Sequence, residues 1–497
     1  MSRLTHRILD IATSTTPDAI AATLGMRALT FREVDHATSA MAHTLQSIGI
    51  GRGQRVMLQA ETTLDHLALF FATQRLGAAF VPLVPTLSVE ETARIAAYIR
   101  PSLVAVDPAR HTVAEALASS GVPVATTGSD GAPTPYVDLD RLAADASDAP
   151  LPQTGVGEDD VHAIFLTSGS TGQPKGVMLS HKASWQRSMN GGSRAVACGG
   201  GGELMTFPLY HWAGWNYVME NWAHRRAAHF VPRLDGPSMG QAIERWRPAY
   251  VYCIPAVWER LLDPAMRFDA SSVRFVGSGT SRFDPVLLDR IKARFPQAAR
   301  TVYYGSTEFG GAITLHDNEI EKRPGAVGLP YAGCEARIVD GELRLRSLSM
   351  MDGYFELPEQ TSAVFDQDGW YMTGDLVERD ADGFFYVTGR RREVIRSGGE
   401  TIAPAEVELA LFGLPGVREV AVVGLPDPVW GEVVCAAFVV EDGHALPSIE
   451  ILRGHVGNSL APFKHPRKIV QVDMLPRTPA TGQIMRARVK DTVLSLS

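Results

Sequence analysis

Between Phe31 and Leu83 the chain alternates between two hydrophobic periods, and few architectures accommodate that. Phe31 to Leu45 spaces its apolar residues for a helix, GIGRG turns, and Val56 to Leu58 is an unbroken apolar run. Leu64 to Leu76 is helical again, stops at Gly77 and leads into AAFVPL. Such alternation predicts βαβ units around a parallel sheet. It returns downstream. YVYCIP and VRFVG read as short buried strands, and TVYYG as another. DPVLLDRIKARFP reads as a helix with Asp284 as N-cap and Pro285 at its first position.

From about Arg337 the pattern turns to hairpins. ARIVDGELRLRS alternates around Asp340–Gly341, and VERDADGFFYVTGRR should turn at Ala381 to Gly383. After Arg390 it changes again. Pro404 opens a helix (AEVELALF), REVAVVGL and VVCAAFVV are strands, and IEILRGHVGNSL is a helix. The expected fold is α/β: a large N-terminal domain of layered β-sheets with flanking helices (1–389) and a small C-terminal α/β lid (390–497). At 497 residues the chain has room for both, since domains run to roughly 150 residues.

Charge and cysteine usage narrow the function. A formal net charge of −8, with no long Lys/Arg block, disfavours a nucleic-acid partner. No apolar run reaches the roughly 18 residues of a transmembrane segment, and MSRLTHRILDIATSTTPDAI lacks the apolar stretch of a secretory signal. The 4 cysteines are scattered and form no CxxC pair, which suits a reducing, cytoplasmic setting.

The chemistry is concentrated in short strings. Thr167-Ser168-Gly169-Ser170-Thr171-Gly172-Gln173-Pro174-Lys175-Gly176 follows the strand-like run Val161 to Leu166. Glycines let backbone amides turn toward an anion, hydroxyls add donors and Lys175 adds charge. The lysine is not placed as a Walker A loop requires. No GxSxG string marks a serine hydrolase.

This string resembles the phosphate loop of the adenylate-forming superfamily of acyl-CoA synthetases, luciferases and adenylation domains. Tyr304-Gly305-Ser306-Thr307-Glu308 is similar to its YGxTE motif and Tyr371-Met372-Thr373-Gly374-Asp375 to its YxTGD. Gly389-Arg390 followed by EVIRSGGETIAPAEVE is similar to its GRxxxxIxxxGxxIxPxEVE. The similarity runs from about residue 10 to about 490, in order and with matching spacing.

The resemblance implies ATP, Mg2+ and CoA as cofactors and a carboxylic acid as substrate, a fatty or related acyl acid. It implies that Thr167, Ser168, Gly169, Ser170, Thr171, Gly172 and Lys175 cradle phosphates and that Glu308 holds magnesium. Thr307 reaches the α-phosphate, and Asp375 and Arg390 hold the ribose. Tyr304, Gly305 and Gly279, the last in Gly277-Ser278-Gly279, lie against the nucleotide. His211, in the PLxH-like Pro208-Leu209-Tyr210-His211, borders the acyl group. Arg392 takes the hinge position, where the family usually has Asp or Lys. Arg396, Gly398 and Gly399 belong to the string that lines the pantetheine path. A homodimer is admitted beside a monomer.

Trp212, Trp215, Met219 and Trp222 share a helical face. Core packing is the plain reading, and Trp212 or Trp215 lining the acyl tunnel the sharper one. PLYHWAGWNYV contains no aspartate to hold an ammonium group, which favours a plain acid over an amino acid.

One departure stands out. The family's last motif, approximately PRTxxGKIxR, here reads Pro476-Arg477-Thr478-Pro479-Ala480-Thr481-Gly482-Gln483-Ile484-Met485-Arg486. Gln483 replaces a catalytic lysine that places positive charge where negative charge develops, so adenylation should be impaired. Three readings stay open: an introduced substitution, a specialised enzyme in which Arg486 or Arg488 compensates, or a silent nucleotide-binding homologue. An acyl-AMP ligase that loads a carrier protein is the alternative to a CoA ligase.

Overall fold

The computed structural model of the protein describes residues 2–129, 133–151, 154–167, 174–190, 201–279, 285–397, 400–457, 460–478 and 482–496. Among them the strands form three sheets, of 13, 8 and 5 strands. The 8-stranded sheet carries the early alternation. Arg55–Gln59 pairs in parallel with Ala79–Pro82 on one side and Leu103–Val106 on the other. The 13-stranded sheet is parallel through Glu203–Met205, Tyr250–Tyr252, Phe275–Gly279 and Ala299–Ser306, then antiparallel.

The helices Phe31–Ser47, Asp65–Leu76 and Trp212–Ala223 share one apolar core. Thr30 caps Phe31–Ser47 with a reciprocal capping box to Glu33. Asp65–Leu76 is buried nearly all round and ends at Gly77, whose φ of 73° is the left-handed geometry glycine adopts freely. Phe70 stacks on Trp215 at 3.7 Å, and Phe71 on Trp222 at 5.0 Å. Large aromatic faces thus join helices from distant parts of the chain, and their burial dominates the core.

The hairpin at Asp340–Gly341 forms as expected, with φ of 51° and 77° at its two turn residues. The second hairpin, Tyr371–Arg379 with Phe385–Arg390, is also present. The helix expected over IEILRGHVGNSL is shorter, Ile449–Val456, because Gly457 leaves helical geometry. Pro285–Arg294 is the expected helix, while Asp284 lies outside the described residues.

The small 5-stranded sheet is built on Val417–Asp427 and Gly431–Val440. Alternate residues of these strands face opposite layers. Val422, Val434 and Phe438 meet Val407, Leu411 and Leu452, while Val423, Cys435 and Ala437 meet Val489 and Val493. Both faces are covered, which explains the continuous apolar runs. No helix among the described residues is long and apolar enough to cross a membrane.

Candidate active site

The two sheets and the small lid meet around a cleft of ≈ 1650 Å³. One wall is built on an antiparallel pair. Val161–Thr167 and Lys175–Ser180 place Thr167 opposite Lys175, and both line the cleft. The short strand Gly353–Tyr354 pairs with Met178 and Val177, which sets the Tyr354 ring 4.6 Å from Lys175 Nζ. Burial and the nearby charge of Arg392 together hold the Lys175 pKa below the usual lysine range. Ser168, Gly169, Ser170, Thr171 and Gly172 lie outside the described residues, as do Gly398 and Gly399.

The second wall is the turn joining Ala299–Ser306 to Gly310–His316, which carries Gly305, Thr307 and Glu308. Ser306 Oγ donates to Glu308 Oε2 at 2.9 Å and the Tyr354 hydroxyl to Oε1 at 3.2 Å. These donors fix the carboxylate at the cleft surface. Beneath it lies Arg187, which the sequence reading missed. Its guanidinium donates to Ser349 O at 2.8 Å, Thr307 O at 3.0 Å and Glu308 O at 3.1 Å. Arg187 is 3% exposed, and burial pushes its pKa down to about 9, so it remains charged at neutral pH. A signal for it existed. His181, Ser184, Arg187 and Ser188 fall on the buried stripe of the helix His181–Asn190, and an arginine on such a stripe must have partners.

On a third wall, Asp375 and Arg390 are cross-strand partners. Arg390 Nε lies 2.9 Å from Asp375 Oδ1, and the Tyr304 hydroxyl donates to Oδ2 at 2.5 Å. Burial pushes the Asp375 carboxyl up, against the opposing pull of Arg390 and Tyr304. Burial and the neighbouring carboxylate hold the Tyr304 phenol well above its ordinary pKa, so it acts as a donor. Glu342, also missed, is 4% exposed and accepts from Gly374 N–H and from Arg391 Nη1, each at 2.9 Å. It ties the turn that presents Asp375 to the residue after Arg390.

The remaining wall is aromatic. His211 caps the helix Trp212–Ala223, its Nδ1 accepting from Ala213 N–H at 3.2 Å. Burial lowers its pKa to about 4, so at neutral pH it is uncharged and its proton sits on Nε2. The helix has two working faces. Trp215, Met219 and Trp222 are in the core, with Trp215 only 1% exposed against Phe70. The expectation that Trp215 could line the acyl tunnel is therefore corrected: its indole faces the sheet core. Trp212, Ala213, Asn216, Tyr217 and Glu220 line the cleft. Glu220 thus puts a carboxyl in the cleft lining just beyond PLYHWAGWNYV. Phe207, Tyr217, Tyr252 and Tyr303 form a continuous ring wall with centroids 5.3–5.8 Å apart.

Gly279 and Arg396 lie outside the cleft lining. Gly279 is buried, and a Cβ there would collide with Tyr303 O and the Tyr252 hydroxyl, so its smallness serves strand packing. Arg396 is exposed on the lid, outside the cleft lining, with its N–H bonded to Glu432 at 3.0 Å.

The lid closes the cleft with Gln483, Ile484 and Met485. Thr478 N–H donates to Gln483 O at 2.8 Å, and Gln483 N–H returns to Thr478 Oγ1 at 3.1 Å. Gly482 sits against the large domain, where an added Cβ would lie 3.5 Å from Ile254. Arg486 pairs with Glu393 at 2.8 Å and Glu408 at 2.6 Å. Its charge is thereby committed, which argues against Arg486 replacing the missing lysine.

The described residues contain no group of three or more His, Cys, Asp or Glu that could hold a metal. Glu308 alone fits a magnesium ion that arrives with phosphates, because such ions keep waters and take one or two protein carboxylates.

Comparison with known proteins agrees with this geometry. Over 490 residues the chain is 31% identical to feruloyl-CoA synthase of Amycolatopsis sp, covering 95% of this chain and 96% of the relative. It is 30% identical to indoleacetate–CoA ligase of Aromatoleum aromaticum over 482 residues, 94% of each. The ATP-bound crystal structure of MatB from Rhodopseudomonas palustris superposes with a TM-score of 0.90 over 100% of both chains, at 27% identity. The AMP-binding enzyme model matches residues 9–355, and the AMP-binding enzyme C-terminal domain model matches 406–481. The chain belongs to the AMP-binding enzyme family.

Proposed function

We propose that the protein is an AMP-forming acid–thiol ligase that activates a carboxylic acid with ATP and transfers it to CoA. In the first step a carboxylate oxygen attacks the α-phosphorus and the bond to pyrophosphate breaks, giving acyl-AMP. In the second the CoA thiolate attacks the acyl carbon and the bond to AMP breaks. The observation that carries this reading is the layout of one cleft. Asp375, Arg390 and Tyr304 converge on one wall, Lys175 and Glu308 line the same cleft, and Gln483 of the lid lines it too.

Asp375 accepts hydrogen bonds from the ribose diol. Thr307 and Lys175 orient the phosphates, and Glu308 is the residue that would hold magnesium, which neutralises phosphate charge when bound. His211, neutral and donating through Nε2, orients the acid. Gln483 supplies reach and a donor but no charge, so adenylation runs slower than with a lysine. The two bodies, 1–389 and 390–497, pivot at Arg390 to Arg392. The backbone supports this, since Arg390 ends the last large-domain strand and Ile395 begins the lid sheet.

For the acid, the wall of Phe207, Tyr217, Tyr252, Tyr303 and Trp212 supports an aromatic acid over an aliphatic chain. Flat rings stack on such walls, and Asn216 and Thr314 suit a hydroxyl substituent. Two of the relatives are named for aromatic acids, feruloyl and indoleacetate. The test is product analysis with ATP, Mg2+ and CoA across hydroxycinnamic, arylacetic, medium-chain and long-chain fatty acids. AMP, pyrophosphate and an aryl-CoA thioester are expected. Thioester from fatty acids alone would overturn the substrate reading, and acyl-hydroxamate without thioester would favour a carrier-protein ligase.

A further inference from the structure

Glu342 is a buried acid to which the two-step scheme gives no role. It opens the strand Glu342–Ser347 and pairs there with Leu376 of Tyr371–Arg379. Its side chain is 5% exposed, so the carboxylate must find its partners within the protein. It has one on each oxygen. Oε1 accepts from Gly374 N–H and Oε2 from Arg391 Nη1, each at 2.9 Å.

The two partners serve different ends. Gly374 precedes Asp375 and takes a φ of 73°, a geometry open to glycine. Thr373 braces the same turn, accepting from Asp375 N–H at 3.1 Å and donating to Leu343 O at 2.7 Å. Arg391 is the first residue beyond the strand Phe385–Arg390, at the pivot, and its N–H donates to Gly374 O at 2.8 Å. Its side chain is 53% exposed, so the ion pair is wet on the arginine side and dry on the glutamate side. Such a pair is asymmetric. The guanidinium can leave for water, whereas a buried carboxylate deprived of its cation is strongly destabilised.

We propose that Glu342 and Arg391 form a latch that holds the hinge in the arrangement where Gln483 lines the cleft. Turning the lid about Arg390 to Arg392 changes the backbone angles beside Arg391 and carries its guanidinium away from Glu342. The carboxylate then keeps only Gly374 N–H. The cost of that stranded charge biases the hinge toward the latched arrangement. The bond that remains runs to the turn presenting Asp375, so one residue couples the hinge to the hold on the ribose. Glu342 is a positioning residue: it acts through Arg391 and Gly374, not on the reacting atoms.

The half-reaction that the latch favours, acyl-AMP formation, rests on the ligase reading above; the latch itself does not. The unaltered chain is compared with Glu342→Gln, Arg391→Met, Arg391→Lys and the Glu342→Gln/Arg391→Met double variant. Tryptic cleavage within Arg390 to Arg392 is timed for the unaltered chain and Glu342→Gln, which share the same arginines. The variant should be cut about threefold faster or more, because an unlatched hinge opens more often. Acid-dependent pyrophosphate release and CoA thioester formation from supplied acyl-adenylate are then measured. Arg391→Met should lower pyrophosphate release about tenfold, the lower end for a hydrogen bond to a charged group, since the arginine is half in water. Transfer from the supplied adenylate should fall far less. Arg391→Lys should keep most of the release rate. The double variant should be no slower than Arg391→Met, since the second change removes the charge that the first leaves stranded.

Equal cleavage of the unaltered chain and Glu342→Gln would overturn the latch. So would pyrophosphate release by Arg391→Met at the parent rate, equal loss in both assays, or losses that multiply in the double variant. If Glu342→Gln does not fold, the half-exposed Arg391 site still decides through its own variants. If the unaltered chain releases no pyrophosphate with any acid, the ligase reading fails, and the cleavage rates alone decide the latch.

Discussion

Replacing Arg187 with methionine tests how the loop carrying Thr307 and Glu308 is held. The guanidinium donates to the carbonyls of Ser349, Thr307 and Glu308 at 2.8, 3.0 and 3.1 Å and is 3% exposed. Hydrogen bonds to a charged group are worth about 1.5–3 kcal/mol each. Desolvating the guanidinium offsets several kcal/mol of that sum. Methionine keeps similar volume but leaves the carbonyls without a donor, so a net loss of about 3 kcal/mol is reasonable. Spent wholly on positioning Thr307 and Glu308, that is roughly 150-fold in kcat/KM for ATP. The assay is pyrophosphate release as a function of ATP at several magnesium concentrations. The Arg187→Met variant should need more magnesium to reach half its own maximal rate, while its KM for the acid moves little. A variant within threefold of the parent, with unchanged magnesium dependence, would refute the claim that Arg187 positions this loop.

Other expectations follow from the same contacts. Asp375→Asn should weaken ATP binding by roughly 10²-fold, since a buried carboxylate accepting two ribose hydroxyls becomes a neutral amide. The variant should also no longer discriminate against 2′-deoxy-ATP, which calorimetry reads directly. His181 is buried and His6 half-buried, with pKa values lowered by burial to about 3 and about 4, and buried His162 is lowered likewise. Their folded pKa values lie below the unfolded value of about 6.5, so the unfolded chain binds more protons between those limits. Stability should therefore fall as pH drops from about 6.5 toward 4 and level off below the folded values, seen as a falling melting temperature. His181→Gln should flatten that slope. Because His211 is held near 4, its titration should put no inflexion in pyrophosphate release near pH 6.5.

The fold was legible wherever local pattern determines local geometry. Asp340–Gly341 takes positive φ at both residues because that turn demands it, and the buried strands read as apolar runs because both their faces are covered. Periodicity also put Trp212, Trp215, Met219 and Trp222 on one helix face. It could not say what that face would meet: Trp215 is a core residue stacked on Phe70, whereas Trp212 lines the cleft. Contacts across long sequence separations were the least visible. Arg187 bonds a carbonyl 162 residues away, and Tyr304 reaches Asp375 across 71 residues. The separate motifs were readable, and the hydrogen bonds that join them were not, because no spacing rule spans such loops.

The central claim is that one cleft grips a nucleotide at both ends, at Asp375 and at Lys175 with Glu308. Calorimetric titration with a nonhydrolysable aryl-sulfamoyl adenosine tests it most directly. The account predicts saturable binding that ATP competes away and that Asp375→Asn weakens. No measurable affinity for either that compound or ATP would contradict it.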